Sequence, residues 1–98
     1  MSDPAPNPSQ LQIALDEETA QGMYCNLALI SHTEAEFTFD FVYVQPQQPK
    51  AKVRARTITS PAHAKQLARV LAENIARYEA RFGEIRLPAP PPEILPRH

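Results

Sequence analysis

The chain has 98 residues, with 10 basic against 11 acidic side chains and a formal charge of -1, so no overall field draws it to nucleic acid or to an anionic membrane. Its single cysteine, Cys25, excludes an intrachain disulfide framework, and no run of about 18 apolar residues is present to cross a bilayer. Eight of its 11 prolines lie in residues 1–10 and 88–98, which predicts an N-terminal tail at 1–10, one domain at 11–87 and a Pro-rich tail at 88–98.

In chain order, "LQIAL" sets Leu11, Ile13 and Leu15 at period two and predicts a short first strand, ended by the polar run Asp16 to Gly22. "MYCNLALISH" carries apolar residues on both faces, which predicts a central strand or one covered twice. "HTEAE" gives a tight connection. "EFTFDFVYVQ" then places Phe37, Phe39, Phe41 and Tyr43 on one face and Glu36, Thr38 and Asp40 on the other, the pattern of a half-buried strand. "PQQPK" is a loop, because proline donates no ladder hydrogen bond. "KAKVRARTIT" alternates Lys52, Arg54 and Arg56 with Val53, Ala55 and Thr57, and in an antiparallel meander that basic row lies across from Glu36 and Asp40.

"SPAHAKQLARVLAENIARYEARFG" predicts one helix. Ser60 suits the N-cap, Pro61 the first helical position and Gly83 a left-handed closing residue. At about 100° per residue, Ala64, Leu67, Ala68, Leu71, Ile75, Tyr78 and Phe82 form one stripe, expected to cover the aromatic face of the sheet. The predicted architecture is α+β, an antiparallel β-meander of about four strands followed by one long C-terminal amphipathic helix packed on it.

Little in this pattern points to chemistry. His63 sits in the first helical turn, where it either faces a partner chain or is a polar residue at the domain edge; no acid or nucleophile stands at fixed spacing from it. Cys25 and His32 fall on opposite faces of any continuous strand and complete no zinc-like set, so no metal or cofactor is expected. Glu36 and Asp40 share a face but lie about 13 Å apart along a strand, too far to work as a catalytic pair by themselves. With Gly22 and Gly83 as the only glycines there is no phosphate-cradling loop, and no enzymatic activity is expected.

Asn74 is the informative oddity. With Leu67, Leu71, Tyr78 and Arg81 it follows a 3-4 spacing that suits a helix-helix seam, where an Asn fixes register, or else it lies at the half-exposed edge of the stripe or bonds a neighbouring backbone group. A domain this small buries only roughly 60% of its unfolded surface when folded alone, so a homo-oligomer is expected. The opening "MSDPAPNPSQ" lacks a basic region followed by an apolar run, so no export signal is predicted and the expected location is cytoplasmic.

"YCN", "EFTFDF", "RTITSPAHAK" and "NIARYEARFGEI", spread from Tyr24 to Ile85, together resemble a family of short bacterial and archaeal proteins catalogued as a domain of unknown function. The resemblance implies no reaction and no ligand. In layout alone the meander and helix are also similar to the SecB-type export chaperones, although the long second helix of those proteins has no counterpart here. The expected function is an oligomeric binding or scaffold protein. Two alternatives stand beside it: a SecB-like holdase, and a nucleic-acid binder using Lys50, Lys52, Arg54 and Arg56, which the neutral overall charge disfavours.

Overall fold

The computed structural model describes residues 10–88. Apart from Gln10 and Pro88, the two expected tails lie outside the described residues. The elements are a single-turn helix α1 (Glu17–Ala20), strands β1 (Leu27–His32), β2 (Phe37–Val44) and β3 (Ala51–Thr59), and a long helix α2 (Pro61–Phe82). The strands form one antiparallel sheet in the order β1-β2-β3. This is an α+β chain with three strands among the described residues rather than the four expected.

The missing strand is the first one. Residues 11–16 adopt no regular structure, and Leu11, Ile13 and Leu15 are all exposed, Ile13 at 89%. Period-two patterning says that a segment has a face to bury, but a strand exists only where a neighbouring ladder accepts its backbone. Among the described residues this segment has none. Asp16 turns the backbone instead, its Oδ2 accepting from the Thr19 N–H at 3.3 Å as the N-cap of α1.

A second correction concerns β1, which its apolar pattern marks as central or covered on both faces. It is an edge strand, with Leu27 and Leu29 half-buried and Ala28 and Ile30 exposed. It also starts later than its apolar run. Asn26 takes over the pairing just before it, donating from Nδ2 to the Val44 carbonyl at 3.0 Å and accepting from the Val44 N–H on Oδ1 at 2.8 Å. A side-chain amide thus reproduces the donor and acceptor of a peptide unit.

Among the described residues the chain divides into two compact units. The first comprises the residues up to Ile30 and Phe39–Thr57; the second comprises Ser31–Thr38 and the residues from Ile58 onward. In the first, Phe39 and Val42 are buried, at 8% and 3% exposure. Three positions apart on one strand, they point to opposite faces, so the central strand β2 is covered on both sides. The face holding Thr38 and Asp40, expected to be solvated, is therefore partly interior. The rings of Phe39 and Phe41 lie 6.5 Å apart, and Tyr24 meets Tyr43 edge-on at 6.2 Å.

In the second unit the β1–β2 turn closes through Thr33. Its N–H donates to the Glu36 carbonyl at 2.9 Å, and its Oγ1 accepts from the Ala35 and Glu36 N–H groups, both at 3.2 Å. His32 stacks on Phe37 across that turn, centroids 5.1 Å apart. Helix α2 begins as its sequence dictates: Ser60 Oγ accepts from the His63 N–H at 3.1 Å, and Pro61 occupies the first turn. Its end differs from expectation. Gly83 has the positive φ of 100° that favours glycine, but its ψ of 167° is not left-handed helical. The half-buried Glu79 completes the closure, its Oε2 accepting from the Ile85 N–H at 2.9 Å.

Candidate functional site

Three groups of side chains come forward from the sequence. The first is the charged row on β2 and β3. Arg56 reaches Asp40 with two parallel bonds, Nε to Oδ1 at 2.7 Å and Nη2 to Oδ2 at 2.9 Å. This fork-to-fork geometry is the strong form of an Arg–carboxylate contact. The Asp40 side chain is 15% exposed and that of Arg56 63%, so the pair sits half in water with its acidic end sheltered. Hydrogen bonds and charge from Arg56 hold the Asp40 carboxyl below its ordinary range, and Asp40 in turn raises Arg56.

The expected pairing of the whole row is narrower than its spacing suggests. Among the described residues, Arg56–Asp40 is the one ion pair, and Lys52, Arg54 and Glu36 stand exposed outside it. Alternation places charges on a face; it does not decide which pair of side chains meets.

The second group is the start of α2. His63 Nδ1 lies 2.6 Å from the Thr59 Oγ1, and the His63 N–H is held by the Ser60 cap. The imidazole is thus engaged by a neighbouring hydroxyl, with no carboxylate to orient it as a base would require. The spacing from Thr59 to His63 is visible in the sequence, but that contact was not foreseen.

The third group runs along α2. Leu67, Leu71 and Tyr78 are exposed, as are Ile75 and Phe82 beside them, and only Ala64 of the helix is buried. Asn74 donates from Nδ2 to the Val70 carbonyl one turn back, at 2.9 Å. Tyr78 and Phe82 touch, centroids 5.0 Å apart, and the Arg81 guanidinium lies 5.2 Å from the Phe82 ring centroid. The stripe therefore carries an aromatic and cationic patch at its C-terminal end.

A further feature escaped the sequence reading. Tyr43, Gln45, Pro46, Gln47 and Gln48 line an open depression of about 270 Å³ on the β2–β3 loop. Its lining is uncharged, able to offer amide and phenol hydrogen bonds but no acid, base or nucleophile. Among the described residues no group of three or more His, Cys, Asp and Glu stands close enough to hold a metal ion. No helix among them is long and apolar enough to cross a membrane.

A three-stranded antiparallel sheet followed by one long helix makes this a small α+β protein. The model of the family described as "Protein of unknown function (DUF3467)" matches residues 1–87, and the chain belongs to that family. No curated protein and no solved structure matches the chain.

Proposed function

We propose that the chain is a homo-oligomeric binding or scaffold protein of the cytoplasm, without catalytic activity of its own. The observation that carries this reading is the exposed stripe Leu67, Leu71, Ile75, Tyr78 and Phe82 on α2. Full burial of a large apolar side chain is worth about 1.5–3 kcal/mol, and these, 40–65% exposed, forgo part of it. A contact along Leu67, Leu71, Asn74, Tyr78 and Arg81 recovers it. Asn74 then sits at the middle of the seam, with Nδ2 satisfied by its own helix and Oδ1 available to fix register with a partner.

The noncatalytic part rests on how the reactive side chains are committed. The Asp40 carboxylate is taken by Arg56, and the His63 imidazole by Thr59. The test is light scattering of the native chain at micromolar concentration beside Leu71→Asp. Because Leu71 is 57% exposed, the charge should leave the fold intact and weaken the assembly. A native chain that is a well-folded monomer removes the reading.

The same stripe also favours the SecB-like holdase, which predicts salt-insensitive suppression of aggregation of an unfolded client. The nucleic-acid reading is weaker, since Asp40 already neutralises one of its four cations.

A further inference from the structure

The two edges of the sheet are not equivalent. In a three-stranded sheet ordered β1-β2-β3, both outer strands present backbone N–H and C=O groups that pair with nothing in the sheet. β3 carries Lys52, Arg54 and Arg56, the charged side chains with which natural edges discourage further pairing. β1 reads LALISH and holds no lysine, arginine, acid or proline. Nor does any side chain among the described residues hydrogen-bond to its outward backbone. The N–H of Thr33 bonds the Glu36 carbonyl and that of Asn26 the Val42 carbonyl, so the pairing holds one extra residue, which the bend at Asn26 places ahead of β1. Counted from Thr33, the odd residues of β1 face β2 and the peptide groups of Ala28 and Ile30 point outward. Ile30, at 61% exposure, lies beside that open row.

We propose that β1 is the self-association edge, pairing antiparallel with β1 of a second copy across a two-fold axis to give one six-stranded sheet ordered β3-β2-β1-β1-β2-β3. This rests on the oligomeric reading above and adds a second surface to its α2 seam. Charge selects the occupant. Pairing β3 with β3 sets the unpaired Lys52 and Arg54 of one copy against those of the other, and pairing β1 with β3 is head-to-tail and propagates without closing. The β1–β1 arrangement closes after two copies and leaves the cationic β3 strands as both outer edges, where they stop growth.

The experiment is sedimentation equilibrium of the full chain at micromolar concentration, native and as Ile30→Lys and Ala28→Pro. The lysine replaces an exposed side chain, and the proline removes an N–H that faces away from β2, a position where edge strands tolerate proline. The native chain is expected above the chain mass. Both variants are expected to associate at least about tenfold more weakly than the native chain, with unchanged circular dichroism, since like charges meet across the axis or a ladder bond is lost. A native-strength assembly in both variants overturns the β1 edge but leaves oligomerisation standing; a monomeric native chain overturns both. Should a variant fail to fold, hydrogen exchange on the native chain decides: the Ala28 and Ile30 amides are protected at concentrations where the dimer forms and lose protection on dilution, and unprotected amides in a dimeric sample contradict the proposal.

Discussion

Asn26 stands in for a residue of β-sheet. Its side-chain amide gives one hydrogen bond to Val44 and takes one from it, at 3.0 and 2.8 Å, just where β1 has not yet begun. Asn26→Ala removes both, and the freed Val44 groups turn to water at the end of the central strand. The expected loss is about 1–2 kcal/mol, read as a lower urea midpoint at unchanged m-value. Asn26→Asp keeps the acceptor but loses the donor, and sets a carboxylate against the Val44 carbonyl. It should be at least as damaging at neutral pH and recover in part on acidification.

The start of α2 gives a local prediction. Ser60→Ala removes the acceptor of the His63 N–H and should cost about 1 kcal/mol, with Ser60→Asp restoring most of it. Thermal melts followed at the helical dichroism band separate the three chains. Equal midpoints for the native chain and Ser60→Ala would contradict the cap's role.

Acid should weaken the charged pair in a defined direction. Arg56 depresses the folded Asp40 pKa, so this pair contributes stability above the unfolded aspartate range near pH 4 and loses it as pH falls through the folded value. Asp40→Asn should lower the melting temperature at pH 7 and flatten the decline between neutral and acidic pH. Parallel melting curves for the two proteins across that range would rule out the linkage.

How much of this was legible beforehand depends on the range of the interaction. The strands β2 and β3 and the helix α2 with its Ser60 cap follow from local rules, period two, period 3.6 and the chemistry of the first turn. What failed was long-range. The run from Leu11 to Leu15 has a strand pattern but no ladder to join among the described residues, and the apolar residues on both faces of MYCNLALISH suggested a strand that is central or covered twice where the topology places an edge with Ala28 and Ile30 exposed. Val42, the most buried residue of the core, lies on the face its neighbours Thr38 and Asp40 marked as polar. At the candidate sites, the Asp40 and Arg56 residues were legible as rows of opposite charge, but their pairing was set by side-chain reach across 16 residues of chain. The Glu79 carboxylate that accepts from Ile85 follows no capping spacing and left no signal.

Binding to nucleic acid should be absent. If Lys50, Lys52, Arg54 and Arg56 bound phosphates, affinity would fall steeply with salt, and Arg54→Ala combined with Arg56→Ala would reduce the slope by about two. We expect no retention of a duplex near about 150 mM salt, a typical working ionic strength. Salt-sensitive, sub-micromolar retention lost in the double variant would replace the scaffold reading.

The central claim is that a chain with so much of α2 open to water is completed by further copies of itself. Its most direct measurement is the mass of the native protein in solution, by light scattering at micromolar concentration, together with circular dichroism on the same sample. A folded dimer or larger assembly that dissociates on dilution is the predicted result. A protein of single-chain mass, with full helix and sheet dichroism and a cooperative melt at every concentration, would contradict it.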